Sequence, residues 1–264
     1  MSVYRFQHPV ARLPIVILAL ALVSACATSN PDVVSRDGIN DPNEARNRKV
    51  HAFNIKLDKA ILRPAGRGYS KAVPDEFEDS IGNFATNLAQ PSMMVNSLLQ
   101  GDFRGAGLST VRFLTNTVLG FGGLVDAATE FQVPQHNTDF GETLYVWGAA
   151  EGPYVELPVV GPATRRDAVG RVVDMFTNPL TYSLPSPEKY YSTGAKLASR
   201  LGDRGRYSET VDSILYESAD SYSQARLIYL QNRRFELGSS GGGDAADPYS
   251  DDPYSDIYED PYAQ

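Results

Sequence analysis

Few residues of this 264-residue chain could carry chemistry, and most of them fail on context. Cys26 is the only cysteine, so its thiol has no internal disulfide partner. Beyond the amino-terminal segment the histidines are His51 and His136. His136 lies in "PQHNTDFGET", where Asp139 could orient it as a general base, the minimum a hydrolase would need. No Gly-x-Ser-x-Gly elbow accompanies it. His51 sits within an apolar-periodic run and reads as a packed or surface residue. Two histidines without a second thiol also make a poor zinc site. The stretch "TNTVLGFGGLVDAAT", Thr115 to Thr129, places Gly120, Gly122 and Gly123 around Phe121 and ahead of Asp126. A dinucleotide loop needs Gly-x-Gly-x-x-Gly between a strand and a helix. Here the spacing differs and a helix precedes the glycines, leaving a hinge or an apolar opening.

The ends of the chain narrow the setting. Arg5 and Arg12, the apolar run Leu13 to Val23, and Val23-Ser24-Ala25-Cys26 have the three-part layout of an export signal over residues 1–25. The apolar run is short of the roughly 20 residues that span a bilayer. Small residues before a lone cysteine resemble the lipobox of bacterial lipoproteins, with Cys26 as the acylated new amino end. Ordinary cleavage near Ala25 or Ala27 is the alternative. Ala27 after the cysteine, by resemblance to enterobacterial sorting, favours the outer membrane. Loss of Arg5 and Arg12 leaves 22 basic against 32 acidic residues, a balance that excludes nucleic acid as a natural partner. Residues 238–264 carry seven acidic residues, no Lys or Arg, and Asp-Pro-Tyr at Asp247, Asp252 and Asp260. That composition predicts a disordered acidic tail, either solubilising or carrying a Tyr-bearing docking motif.

Residues 26–40 then read as a linker and 41–237 as one mostly helical domain. Asp41-Pro42-Asn43-Glu44 predicts a capping box opening a helix that Pro64 stops. Phe77, Ile81, Phe84 and Leu88 predict a second helix ending before Pro91. Ser92 to Leu99 follows as a short third helix and Phe103 to Leu119 as a fourth. Thr143 to Gly148 and Pro153 to Pro162 look extended, and Glu76 and Glu78 look like solvated surface. Helical periodicity resumes over 163–176, 187–201 and 208–237, the last capped by Gly238. The segment from Ser92 to Ala128 is apolar on nearly every face, which fits either a buried helix pair or short helices lying in one leaflet.

Five ordered blocks now carry a resemblance: "DPNEARNRKVHAFNIKLDKAILRP" (41–64), "NFATNLAQPSMMVNSLLQGD" (83–102), "RFLTNTVLGFGGLVDAA" (112–128), "DFGETLYVWGAAEGPYVELPVVGP" (139–162) and "RRDAVGRVVD" (165–174). Together they resemble the MlaA (VacJ) family of outer-membrane lipoproteins. The resemblance implies a single ring-like helical domain partly embedded in one membrane leaflet, anchored at Cys26 on the periplasmic side of the outer membrane. It implies a non-enzymatic function without cofactor: removing mislocalised phospholipids from the outer leaflet through an amphipathic channel. A periplasmic carrier protein of an ATP-driven inner-membrane complex would receive them, and trimeric porins would be partners. The residues matching the family near the channel are Phe53, Asn54, Asp58, Gly120, Phe121, Gly122, Gly123 and Asp126. Glu78 departs from the pattern by standing where the family commonly has a basic residue. An adaptor lipoprotein that organises porins without its own channel is the alternative.

Overall fold

The computed structural model describes residues 39–240; the export signal, Cys26 and nearly all of the acidic tail lie outside them. Helix α1, Glu44–Leu57, runs through a π turn at Asp58–Leu62 into α2, Arg63–Ala72. Pro64 therefore does not stop the helix. It sits in the first turn of α2, directly after the π turn, whose wider loop relaxes the regular ladder a proline would clash with. Nor does Asp41 cap α1: its carboxylate is buried and pairs with Arg226 at 2.7 Å, and Asn43 occupies the cap position.

Helix α3, Asp75–Gln100, also passes through a proline, Pro91, merging the two helices expected on either side. Asn178 donates to the Leu88 carbonyl at 2.9 Å in the turn before Pro91, an outside donor where proline weakens the internal ladder. Gly101, left-handed at φ 77°, ends α3, and Asp102 caps α4, Phe103–Val118, by accepting from the Gly105 amide at 2.9 Å. The two helices pack as a hairpin.

The short α5, Ala127–Glu130, follows a turn, and α6, Phe140–Val146, falls where an extended segment was expected. Asp139 caps α6 through the Glu142 amide at 2.8 Å, so "DFGE" is a cap with a glutamate at N3 that the apolar pattern of "TLYVWG" obscures. Strands β1, Tyr154–Leu157, and β2, Gly161–Thr164, form an antiparallel hairpin with Tyr154 opposite Thr164. Then come α7, Arg165–Thr177, the short α8, Leu180–Ser183, and α9, Tyr191–Arg206. The long last helix is interrupted: α10, Ser208–Asp212, continues as a π turn to Glu217, and α11, Ser221–Ser240, begins after a break. Asp220 accepts from the amide and hydroxyl of Ser223 there, which restarts the helix. Gly238 lies inside α11, not beyond its end.

Contacts between elements close a circuit from α3 through α9, α2, α1, the hairpin, α7 and α6 back to α3. The interior of this helical ring is polar. Among the described residues, 21 buried positions are polar or charged against eight that are hydrophobic, the reverse of a water-soluble domain. The apolar core is small, built on Tyr154, Tyr222 and Leu230.

Candidate functional site

Helix α4 shows how the sequence produces this inversion. Phe103, Val111, Leu114 and Val118 follow helical spacing and are exposed, Phe103 at 78% and Val118 at 74%. Gly105, Ser109, Arg112 and Asn116 follow the same spacing on the opposite face and are buried. Arg112 is 1% exposed, yet all its partners are close. Its Nη2 donates to both Asp126 oxygens at 2.8 and 2.7 Å, and its Nη1 donates to the Val133 carbonyl at 2.5 Å. Asn116 adds a bond to Asp126 at 3.0 Å and accepts from the Ala128 amide at 2.7 Å. Burial pushes the Asp126 carboxyl up; hydrogen bonds from Thr129, Asn116 and Arg112 more than offset this and hold it below its ordinary value.

This network fixes the glycine turn. The amides of Gly123 and Val125 both donate to the Gly120 carbonyl, at 3.1 and 3.0 Å. Phe121, Gly122 and Gly123 all have positive φ, 53°, 77° and 100°. A Cβ at Gly123 would come within 2.5 Å of the Asn87 amide nitrogen, and one at Gly120 within 2.1 Å of the Val125 carbonyl. The flexible link expected from three glycines is thus a tight wedge; the glycines are there for close approach and left-handed backbone. Phe121, 80% exposed, is carried on its outside.

Phe53, Asn54 and Asp58 sit elsewhere. Asn54 clamps the β-hairpin: its Nδ2 donates to Glu156 at 3.2 Å and the Leu157 carbonyl at 3.0 Å, and its Oδ1 accepts from the Val159 amide at 2.8 Å. Asp58 accepts from Nε and Nη2 of Arg204, at 2.8 and 2.7 Å, and from the Tyr216 hydroxyl at 2.6 Å. Phe53 is exposed. The Gly120–Asp126 set packs on α3 and α4, whereas Phe53 to Asp58 serves the hairpin and the carboxyl-terminal helices, so the two sets have different neighbours.

A cavity of about 750 Å³ lies between α3, α4, α6, α9 and α11. Its lining mixes Met93 and Leu108 with Arg104, His136, Asp139, Glu142, Lys196 and Arg233. Of these the sequence singled out only His136 and Asp139. The structure separates them as a catalytic pair: His136 Nε2 faces Asp102 at 3.2 Å, and Asp139 is bound by Arg233 at 2.7 Å. Lys196 is exposed at the cavity's edge, yet the protein packed around its ammonium lowers that group's affinity for its proton; Arg200 and Arg171 add to this, and Asp174 and Asp139 oppose it. Burial in turn pushes the Asp174 carboxyl up. Lys196 left no signal in the sequence, because a lone lysine in a polar helix is the ordinary solvated case. His51, the other histidine considered, is packed, with Glu156 at 3.3 Å and Ser221 at 3.2 Å.

A helical ring with apolar side chains outside, buried polar groups inside and a charged cavity between its helices defines a class: proteins built for a lipid interface. Residues 39–236 match the family described as MlaA lipoprotein, and the chain belongs to that family. The "Intermembrane phospholipid transport system lipoprotein MlaA" of Escherichia coli is 35% identical over 230 residues, 85% of this chain and 88% of that protein. The protein of that name from Haemophilus influenzae is 29% identical over 246 residues, 91% and 96% of the two chains. A solved structure described as "Structural basis for maintenance of bacterial outer membrane lipid asymmetry" is 34% identical, with a TM-score of 0.64, covering 75% of this chain and 98% of that one.

Proposed function

We propose that this protein moves phospholipid out of the outer leaflet of the outer membrane without making or breaking a bond, using the 750 Å³ cavity as the polar path for the headgroup. The observation that supports it best is the inverted helix α4, whose apolar face is exposed while Arg112 and Asn116 face inward. A water-exposed face of that kind is costly, but against acyl chains it costs nothing. Relatives named for intermembrane phospholipid transport agree with this reading. In it, Cys26 is acylated and residues 1–25 are removed. The Gly120–Asp126 wedge shapes the apolar wall, and Lys196 and Arg233 offer cations to the lipid phosphate. A passive path stores no direction, so a periplasmic carrier fed by an ATP-driven complex would draw lipid away; trimeric porins would hold the ring in place.

The test is complementation of a deletion strain. Surface-accessible phospholipid, measured by digestion with added phospholipase, rises on deletion and is restored by the intact chain. Lys196→Asp, made at normal level and correctly localised, leaves it high, whereas His136→Ala restores it. Unchanged outer-leaflet phospholipid on deletion would overturn the reading in favour of a porin-organising adaptor.

A further inference from the structure

A second pocket, of about 380 Å³, opens where α2, α3 and α9 meet, and it shares no lining residue with the larger cavity. Glu78 reaches it from the first turn of α3, and its side chain is 4% exposed. Neither carboxylate oxygen of Glu78 has a hydrogen-bond partner. Arg206 passes Oε2 at 3.3 Å but gives its formed bond to Asp79, at 2.8 Å. The buried hydroxyl of Tyr69, also lining the pocket, is likewise unpartnered. A buried carboxylate that accepts no hydrogen bond is unfavourable even beside a cation, so a satisfied site is one that contains a donor.

The shape keeps that space open. A Cβ on Gly202 would meet the Tyr69 ring at 3.2 Å and Glu78 Oε2 at 3.5 Å. Three acidic residues, Glu78, Asp79 and Asp203, line the pocket against one basic residue, Arg206, a balance that favours a cation. Among the described residues no three His, Cys, Asp or Glu side chains are placed to hold a metal ion. The acceptors suit N–H groups instead: a carboxylate and a phenolic oxygen, with no aromatic cage for a methylated ammonium.

We propose that this pocket binds a primary ammonium group, donated to Glu78 and Tyr69, of the kind an ethanolamine lipid headgroup or a small free amine carries. The site rests on its own geometry and stands whether or not the larger cavity passes lipid.

Two arms test it on the full chain. In detergent micelles, saturation-transfer NMR is run with free ethanolamine and with choline. In nanodiscs of phosphatidylethanolamine or phosphatidylcholine, a photoreactive phenylalanine analogue at the exposed Phe77 reports lipid adducts. We expect preference for the primary amine in at least one arm: a response in the first identifies a soluble amine, and one confined to the second a lipid headgroup. Glu78→Gln weakens the response about tenfold. Tyr69→Phe removes a hydroxyl with no internal partner, so it leaves thermal stability unchanged and weakens the response severalfold; it decides the matter if Glu78→Gln does not fold. Equal response to ethanolamine and choline in both arms, no response in either, or full response in both variants overturns the proposal.

Discussion

Arg112 is the residue on which the inversion is easiest to test. Its guanidinium is buried because three acceptors converge on it, and Asp126 sits at the cap of α5, where its carboxylate also accepts from the Thr129 amide at 3.3 Å. Arg112→Met fits the space but leaves Asp126 facing a dry wall. Asp126 retains some exposure, so we expect a loss of about 2–3 kcal/mol, less than for a fully enclosed pair. Adding Asp126→Asn should recover part of it, read as the thermal midpoint in detergent. The neighbouring glycines separate two causes. Gly122→Ala meets no atom and suffers only its positive φ, a cost of about 1–2 kcal/mol. Gly123→Ala also drives a methyl into Asn87 and should lose clearly more. Similar losses at both positions would contradict a wedge and restore the hinge. The sequence could show three glycines before an aspartate; it could not show Asn87, 36 positions earlier, filling the space a side chain would need.

At the scale of elements, legibility followed a physical line. Helices such as α4 and α7, whose caps lie next to their periodic runs, stood where expected. Helices crossing a proline did not, because the compensation comes from distant groups: Asn178 at the Leu88 carbonyl, or the π turn ahead of Pro64. Glu78, solvated by its local pattern, is buried because α9 covers it, and nothing local in the sequence reveals that contact. The join between α1–α2 and α9–α10 is a staple of charges in which Arg204 bridges Asp58 and Asp212 at 2.7 Å each, and Arg63 and Arg67 also reach Asp212. Burial raises both carboxyls, but bonds from Arg204, with Tyr216 on Asp58 and Arg63 on Asp212, leave both below their ordinary value of 3.8. Depressed carboxylates stabilise fully above the unfolded value and lose that contribution as pH falls through the folded one. The thermal midpoint should therefore be flat from pH 6 to about 5 and fall below about pH 4. Asp58→Asn with Asp212→Asn should start lower and flatten that fall. An unchanged acid limb in the double variant would mean that the staple is not the acid-labile join.

For the whole molecule the question is which medium the apolar exterior faces. No helix among the described residues is long and apolar enough to cross a bilayer. The exposed apolar groups include one face of α4, Phe121 on the glycine wedge, and Tyr145, Val146 and Trp147 at the end of α6. Such a surface fits partial immersion of the ring, its polar interior kept out of contact with acyl chains. The chain's single tryptophan supplies a depth gauge. Trp147 is 55% exposed, stacks edge-on against Phe140 at 5.7 Å, and donates its indole N–H to the Leu99 carbonyl at 3.0 Å, so its ring is held in place. Indole rings favour the boundary between headgroups and acyl chains. In nanodiscs containing brominated phospholipid, Trp147 fluorescence should be strongly quenched, more by bromine near the top of the acyl chain than by bromine near its end. Leu114→Asp with Val118→Asp places two charges on the exposed face of α4 without touching Arg112 or Asn116. That variant should keep its helical signal in detergent and lose quenching, because the ring no longer seats. Quenching no stronger than that of a freely dissolved indole in the intact chain would place the apolar face outside the lipid, and the inverted helix would need a protein partner to cover it.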